Sequence, residues 1–433
     1  MRILLLNTYR VVNAKGGTEK VFCDMANAMA EKGHEVFAVC LDENQGLPGF
    51  QLDERVIFLN AHQRNLPLSL QPLSIKLRSL RLTHKERTEA RDYLFDLATS
   101  HKIRKTLPPA PPDIAVAFQP ESCQLLRIIY RRGTPIATML HNAPNIFFHS
   151  RTPKKLITST ESSDAIQVLQ PEYREELTKI FPNTRIIYIP NAVTQNNETS
   201  EANNFKIVNV GRACSQKQQD LLIKAFSLLK TEFPEWEIEI WGETHTDLEF
   251  TNQLKAQIAA LGLDDRISLC GVTNDVKEKL LTASIFAFPS KFEGFPLALT
   301  EAMSYGLPSV GCKECPGVNT LIRDGENGFL CDGTPESLAE ALRKLMRDQD
   351  LRLRLGAQAK EDMKEFTPER VWDQWEDLLT ELVEKHRKPC LPVMTKPCGA
   401  IRQGFNISTV VVFNVGSQRP SPTRTLPSIR QAP

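Results

Sequence analysis

Two glutamates with a glycine turn between them are the residues of this chain best suited to chemistry on a polar ligand. In the segment IFAFPSKFEGFPLALTEAMSYG, Glu293 is followed by Gly294, Phe295 and Pro296, and Glu301 lies eight positions after Glu293. The run IFAFPS predicts a buried strand, and LALTEAMSYG predicts a helix that ends at a glycine. A strand, a glycine turn and a helix start point backbone N–H groups and the positive end of a helix at an anion.

The two carboxylates are placed to accept hydrogen bonds from different hydroxyl groups of a ligand. Glu293 lies in the turn, where its carboxylate can accept hydrogen bonds from sugar hydroxyl groups. Glu301 lies about two helical turns further along, on the same side of the helix, and can reach a ribose. The spacing alone is equally compatible with a helix start that carries one turn glutamate and one surface glutamate by coincidence.

The whole segment, with GFPLALTEAMSYGLP intact, resembles the glutamate–seven–glutamate signature of the retaining, nucleotide-sugar-dependent glycosyltransferases of family 4. The resemblance implies an α/β chain of the GT-B fold, in which two Rossmann-like domains face each other across a cleft. It also implies that Glu293 is catalytic and that Glu301, Gly294, Phe295 and Pro296 bind the donor.

Two cations are predicted to bind the donor diphosphate. A leaving diphosphate gains negative charge as its bond to the sugar breaks, so preorganised cations and N–H groups stabilise it. The segment VNVGRACSQKQQDLLIKAF supplies Arg212 after a strand and Lys217 five residues later, before a helix. Their spacing resembles the phosphate-binding pair of the family, although any such loop can carry a surface arginine and lysine. The family usually has glycine after this lysine, and Gln218 departs from that pattern.

The first domain contributes a glycine pair and a histidine. Gly16 and Gly17 open a helix after the first strand and match the family's N-terminal glycine loop, so we expect them to bind the donor. A plain tight turn explains many such pairs. His141 follows a strand in TMLHNAP, and the resemblance implies a catalytic place for it close to the reacting sugar, whereas a lone histidine at a strand end is more often structural.

No metal and no cofactor are expected. The motif Asp348-Gln349-Asp350 falls between charged helices and predicts a solvated helix end. Cys312 and Cys315 have no second cysteine pair near them, which argues against zinc. The resemblance implies that cations and helix starts replace a metal, and that the leaving phosphate helps to deprotonate the acceptor hydroxyl on the same face of the sugar.

Alternating apolar runs and amphipathic helices predict two parallel α/β domains. Residues 1–193 are predicted to form the acceptor-binding domain, and the polar run 194–204 a linker. The resemblance implies that residues 205–367 form the nucleotide-sugar-binding domain and that 368–387 form a helix that crosses back toward the first domain. The proline-rich, basic residues 388–433 predict a disordered tail.

The composition and charge of the chain bear on whether it binds nucleic acid or a membrane. The chain has 433 residues, of which 41% are hydrophobic, and its net charge of +1 shows no bias toward nucleic acid. The sequence shows no signal peptide and no apolar run of membrane-spanning length, so a cytoplasmic protein is expected. Residues 66–91 mix leucines with lysines and arginines, which fits either contact with an anionic membrane or a helix that covers the first sheet.

The function expected is transfer of a hexose or N-acetylhexosamine from a nucleotide sugar, UDP-linked by analogy, to a glycan or lipid-linked glycan in surface polysaccharide synthesis. One alternative is a nucleotide-sugar epimerase or a phosphorylase on the same fold. An epimerase would need no acceptor, and a phosphorylase would need free phosphate. The other alternative is a catalytically inactive nucleotide-sugar-binding subunit, against which the intact Glu293, Glu301, Arg212 and Lys217 argue.

Overall fold

The computed structural model describes residues 1–61, 84–131 and 133–387, excluding the side chains of residues 84–87 and 89. The proposed tail, 388–433, and most of the basic segment 66–91 therefore lie outside the described residues. Among the residues described, the predicted α/β organisation is confirmed, with two parallel sheets and helices between most successive strands.

The first domain contains a seven-stranded sheet in the order β3-β2-β1-β4-β5-β6-β7, and all of its neighbouring strands are parallel. The strands are β1 Arg2–Asn7, β2 Glu35–Cys40, β3 Ile57–Asn60, β4 Ile114–Ala117, β5 Ile136–Met139, β6 Ala165–Val168 and β7 Ile186–Tyr188. The helices described are α1 Gly17–Glu31, α2 His84–Thr106, α3 Pro120–Tyr130, α4 Pro144–Phe147, α5 Lys154–Glu161 and α6 Pro171–Ile180.

The second domain contains a six-stranded parallel sheet in the order β10-β9-β8-β11-β12-β13. Its strands are β8 Lys206–Val210, β9 Glu237–Trp241, β10 Ile267–Gly271, β11 Ile285–Phe288, β12 Ser309–Cys312 and β13 Gly328–Cys331. Its helices are α7 Gln219–Ser227, α8 Leu248–Ala260, α9 Val276–Leu281, α10 Leu297–Ser304, α11 Pro335–Arg347 and α12 Gln349–Asp362. A short 3₁₀ helix, Met363–Phe366, precedes the last helix, α13 Pro368–Arg387.

Both sheets reverse their strand order next to their first strand. The reversal lies between β1 and β4 in the first sheet and between β8 and β11 in the second. In open parallel sheets, loops at the carboxyl ends of strands beside such a reversal leave a crevice that accepts a ligand. The loops that carry the glycine pair, the two cations and the glutamate turn follow β1, β8 and β11, so the topology places every predicted donor-binding segment at these two reversals.

The polar run 194–204 is attached to the second domain. The Asn196 side chain donates to Ser304 Oγ at 2.7 Å, Ser200 N donates to Tyr305 O at 2.8 Å, and Lys360 Nζ donates to Glu198 O at 2.8 Å. These hydrogen bonds pair polar groups of the run with protein atoms, whereas its polar composition alone predicts that such groups are solvated. The run is therefore bonded along the second domain.

Helix α13 packs against the first domain. Its apolar stripe, which includes Trp372 and Trp375, is buried in the same hydrophobic cluster as residues of β1 and α1. Ion pairs join the helix to the first domain on its exposed side, with Lys32 Nζ 2.9 Å from Glu376 Oε2 and Arg387 2.6 Å from Asp113. The last helix of the described chain thus completes the core of the first domain.

Candidate active site

A buried ion pair lies at the centre of the candidate site. Lys217 Nζ is 2.6 Å from Glu293 Oε1, and the two side chains are only 15% and 11% exposed. Lys217 Nζ also lies 4.7 Å from the centre of the Phe288 ring, at the end of β11. The sequence predicted both residues separately, one for the diphosphate and one for the sugar, and the structure brings them into direct contact.

The loops after β8 and β11 hold this pair in place together. Gln216 Nε2 donates to Phe292 O at 2.8 Å, and Lys291 N donates to Gln216 O at 2.9 Å. Gly211 leaves room for the lysine stem, because a Cβ there would lie 3.3 Å from Lys217 Cε. The lysine is therefore fixed by the neighbouring loop as well as by its carboxylate partner.

Gln218, where the family usually has glycine, has a left-handed backbone with φ 51° and ψ 40°. Only glycine adopts this conformation without strain, because a Cβ crowds the following carbonyl oxygen. The departure from the family pattern therefore preserves the backbone geometry of the loop at a cost in stability.

Replacing this residue with glycine should stabilise the protein. We expect Gln218→Gly to raise the free energy of unfolding by about 0.5–1 kcal/mol, since the lost strain exceeds the added freedom of the unfolded chain. Denaturant unfolding of the full chain measures the change. Gln253→Gly in the exposed face of α8 is the control and should lower the free energy by about 1 kcal/mol. A loss of stability in Gln218→Gly would show that its side chain contributes more than the strain removes.

The Glu293 turn also touches the first domain closely. A Cβ on Gly294 would lie 2.3 Å from His141 O and 3.1 Å from Asn142 Cα, both backbone atoms of the first domain. Glycine is required here for close approach, not for an unusual φ. Phe295, predicted to bind the donor, instead buries its side chain against Phe366 with ring centres 5.4 Å apart, which leaves only its backbone for a ligand.

Helix α10 starts at this turn and carries Glu301. Pro296 O accepts from Leu299 N and Thr300 N, each at 3.0 Å, so the helix begins directly after the turn. The start of α10 faces the predicted glycine loop, because a Cβ on Gly17 would lie 3.3 Å from Leu297 Cδ1. Glu301, which is predicted to bind the ribose, therefore lies in a helix whose start faces the glycine pair.

The Glu301 carboxyl is held in surroundings that disfavour its charge. Burial raises its pKa above the ordinary value of 4.5, and the nearby Lys20 ammonium of the first domain offsets part of that rise. A carboxyl group with a raised pKa stabilises the fold only below its unfolded pKa, and that stabilisation is lost as the pH rises through the folded pKa. At neutral pH the ionised Glu301 therefore costs stability.

Neutralising Glu301 should stabilise the fold at neutral pH and weaken the binding of UDP. We expect Glu301→Gln to raise the melting temperature at pH 7, with a gain that narrows as the pH falls toward 4.5. The same change should weaken UDP binding by about tenfold, since bonds from ribose hydroxyls to a carboxylate are stronger than those to an amide. Thermal melts across pH and calorimetric titration with UDP measure the two effects. Glu384→Gln, at the exposed end of α13, should change neither, and a lower melting temperature for Glu301→Gln at pH 7 would contradict this account.

His141 is a neutral imidazole at the domain contact. Burial lowers the pKa of His141 to about 4. Its ring stacks on Phe118 with centres 5.4 Å apart and planes at 22°, and its enclosed Nε2 has no hydrogen-bond partner among the described residues. The side chain therefore brings no positive charge to a diphosphate, and its unpaired nitrogen can bond a ligand hydroxyl only when the surrounding groups move to uncover it.

Gly16 and Arg212 are linked through Glu19. The Glu19 carboxyl lies over Gly16, where an added Cβ would meet Glu19 Oε2 at 2.3 Å. Burial raises the pKa of Glu19, while the Arg212 and Arg10 guanidinium groups act in the opposite direction. Arg212 is exposed, so it lies at the mouth of the site and within the electrostatic reach of the first domain.

Sequence reasoning missed two polar residues that contact the Glu293 turn. Gln170 Nε2 donates to Gly294 O at 2.7 Å, and Tyr173 Oη donates to Glu293 O at 3.1 Å. Both residues follow β6, in a segment with no recognisable motif. Their one available signal was position, because the carboxyl end of β6 lies on the same sheet edge as the other first-domain loops.

The arrangement suits a phosphorylated sugar ligand. The contact between the domains is surrounded by a buried lysine, an exposed arginine, two facing helix starts and two glutamates. In residues 1–61, 84–131 and 133–387 there is no group of three or more potential metal ligands. The same described part of the chain contains no helix long and apolar enough to cross a membrane.

Two protein families match consecutive parts of the chain. The family described as Glycosyltransferase Family 4 matches residues 15–196, and the family described as Glycosyl transferases group 1 matches residues 191–362. The first match contains the glycine pair and His141, and the second contains both cations and both glutamates.

Two relatives align over almost their full lengths. An uncharacterized glycosyltransferase of Haemophilus influenzae is 27% identical over 376 residues, which cover 85% of this chain and 97% of the relative. The lipopolysaccharide core biosynthesis glycosyltransferase LpsE of Rhizobium meliloti is 25% identical over 371 residues, which cover 84% of this chain and 96% of the relative.

Solved structures share the fold. The crystal structure of Anabaena HepE in complex with UDP and glucose superposes with a TM-score of 0.67 at 19% identity, covering 88% of this chain and 99% of HepE. This similarity confirms the predicted GT-B fold. The matches to both families and the shared fold together show that the chain is a glycosyltransferase enzyme of family 4, in the group 1 glycosyltransferases.

Proposed function

We propose that the enzyme transfers a hexose or N-acetylhexosamine from a UDP-sugar to a glycan or lipid-linked glycan acceptor, with retention of anomeric configuration. The observation that carries the proposal is the buried Lys217–Glu293 pair, in a turn that touches the first domain at His141. It supplies a cation for the diphosphate and a carboxylate for the sugar within one hydrogen bond of each other.

The cations act on the leaving group. In the proposed complex Lys217 and Arg212 contact the diphosphate, the ammonium as a compact charge and the guanidinium through a forked contact. The start of α10 adds backbone N–H groups and the positive end of its dipole. Because these groups are held by the fold before the substrate arrives, they stabilise the developing charge without reorganisation.

The sugar is held by groups from both domains. In the proposed complex Glu293 accepts hydrogen bonds from the hydroxyls of the transferred sugar. A small movement at the domain contact uncovers the unpaired His141 Nε2, which then bonds a further hydroxyl near the reacting carbon. The neutral state of the imidazole suits this role, because a hydrogen bond to a hydroxyl requires no charge.

Transfer proceeds on one face of the sugar. The bond between the anomeric carbon and the diphosphate oxygen breaks, the acceptor oxygen bonds to that carbon from the same side, and the acceptor proton passes to the leaving phosphate. The cations stabilise the diphosphate throughout, so we propose that no metal ion is needed.

The donor and acceptor classes are supported by similar proteins. The HepE structure holds UDP and glucose, and the name of LpsE assigns it to lipopolysaccharide core synthesis. These support a UDP-linked donor and a cell-surface glycan acceptor for this enzyme. Contact with the inner face of a membrane through residues 66–91 stays a prediction, and sedimentation with anionic liposomes before and after Lys/Arg→Glu changes there tests it.

A donor panel tests the function. The purified full chain should release UDP from one UDP-sugar only when an acceptor from a membrane extract is present, and EDTA should leave the rate unchanged. Nuclear magnetic resonance of the product should show the anomeric configuration of the donor. Interconversion of donors without an acceptor, dependence on free phosphate, or an inverted product would overturn the proposal.

A further inference from the structure

The backbone of the Glu293 turn is held by side chains of the opposite domain. Gln170 donates to Gly294 O at 2.7 Å and Tyr173 donates to Glu293 O at 3.1 Å. Gln170 and Tyr173 are 3% and 5% exposed, so both bonds are formed away from water. The two carbonyl groups belong to consecutive residues, and one of these residues carries the carboxylate paired with Lys217.

The Gln170 amide joins two separate loops of the second domain. Its Nε2 donates to Gly294 O in the turn after β11, and its Oε1 accepts from Thr320 Oγ1 at 2.9 Å in the loop between β12 and β13. One side chain of the first domain therefore fixes the distance between these loops. An amide fits this place because it offers a donor at one end and an acceptor at the other.

Close packing leaves little room for another group to replace these bonds. Gly317 has φ +83°, and a Cβ on it would lie 2.9 Å from Gly294 O, 3.0 Å from Glu293 O and 3.2 Å from Gln170 Nε2. On the opposite side the turn lies against His141 O, 2.3 Å from a Cβ placed on Gly294. Loss of the Gln170 bond would therefore leave buried polar groups unpaired.

We propose that Gln170 is a positioning residue that couples closure of the two domains to the placement of the Glu293 carboxylate. Separation of the domains breaks the bonds of Gln170 and Tyr173 together and releases the turn from the first domain. Closure restores them and sets the turn against Lys217. The inference rests on the proposed function only in taking Glu293 as the residue that contacts the transferred sugar.

Gln167 provides a matched comparison in β6, the strand that precedes Gln170. It is a buried glutamine of β6 whose Nε2 donates to Val168 O and Ile189 O, both carbonyls of the first domain. Replacing it with leucine removes buried amide bonds without touching the second domain. A purely structural role for Gln170 would make the two leucine variants behave alike.

Steady-state kinetics separate the two roles. Gln170→Leu should lower kcat by about tenfold and Tyr173→Phe by about fivefold, as for loss of a buried hydrogen bond, while the KM for the donor changes less than about twofold. Gln167→Leu should lower the melting temperature and leave kcat unchanged. Thr320→Val in the Gln170→Leu background should add almost nothing, because both changes break one shared bond. Equal losses of kcat in Gln170→Leu and Gln167→Leu would overturn the proposal.

Hydrogen–deuterium exchange tests the coupling without any donor or acceptor. Amides of the segment 289–297 should exchange about tenfold faster in Gln170→Leu and Tyr173→Phe than in the wild type or Gln167→Leu. Unchanged exchange in this segment would overturn the positioning role even if glycosyl transfer is found. If the donor panel shows no transfer, faster exchange still supports the coupling, so the two proposals fail by different measurements. Thr320→Val, whose side chain lies at the surface, provides a folded variant if Gln170→Leu is unstable.

Discussion

Lys217→Met should lower kcat/KM by about a thousandfold, the upper end of what loss of one charge-stabilising group costs. The large size follows from the ion pair, since the change leaves the Glu293 carboxylate buried at 11% exposure without its partner. That uncompensated anion then faces the incoming diphosphate and repels it. Kinetics with the donor, together with calorimetric titration of UDP, measure the loss of turnover and of binding.

A second change should restore part of the binding. In Lys217→Met/Glu293→Gln the buried anion is gone, so UDP should bind about tenfold more tightly than to Lys217→Met alone, and the melting temperature should recover. Turnover should stay low, because both the diphosphate cation and the sugar ligand are missing. Lys224→Met is the control, since it removes an exposed lysine paired with Asp220 on α7 and should alter neither property. If the double variant binds UDP no better than Lys217→Met, the pair does not act as one electrostatic unit.

Gly294→Ala should lower kcat by about a hundredfold although it changes no charge and no hydrogen-bonding group. The added methyl group would lie 2.3 Å from His141 O and 2.9 Å from His141 C, and backbone atoms cannot rotate away as a side chain can. The domains must therefore separate at this point or the turn must shift. A displacement of about 1 Å at a catalytic carboxylate is enough for a loss of this size.

A glycine elsewhere in the second domain provides the control for this prediction. Gly333 has φ +71° with open space around its Cα, so Gly333→Ala should cost about 1 kcal/mol of stability through backbone strain and leave kcat unchanged. Thermal melts and kinetics on both variants separate the effects. Near-normal turnover in Gly294→Ala would mean that the close contact between the turn and His141 is not needed for catalysis.

The two sheets could be predicted because buried parallel strands carry nearly continuous apolar runs. The predicted runs ILLLN and IFAFPS correspond closely to β1 and β11, and both strands are almost wholly buried. The residue types of the site could be predicted from the same sequence, because glycines, cations and glutamates directly follow such runs. The local sequence pattern predicts the strands and the polar residues that follow them, and the longer motifs identify the family.

The pairing of the site residues could not be predicted in the same way. Lys217 and Glu293 are 76 residues apart, and their contact depends on the order of β8 and β11 in the sheet. Gln170 lies more than a hundred residues from the turn it holds and belongs to no motif. Its role depends on a contact between the two domains, and the sequence pattern of a single element cannot predict such a contact.

The polar run 194–204 shows a different limit. Its composition predicts a linker between the domains, and the structure adds that Asn196 and Ser200 bond to residues at the end of α10. Polar residues without periodicity are as compatible with a surface strap bonded to its own domain as with a solvated spacer. Only the positions of the bonding partners distinguish the two.

A crystal structure of the full chain with UDP tests most directly the claim that both domains close on a sugar nucleotide at this ion pair. We predict density for the diphosphate within hydrogen-bonding distance of Lys217 and Arg212, and for the ribose against Glu301. The Gln170 bond to Gly294 O should be intact in that complex. UDP bound away from the turn, or bound there with the ribose remote from Glu301, would contradict it.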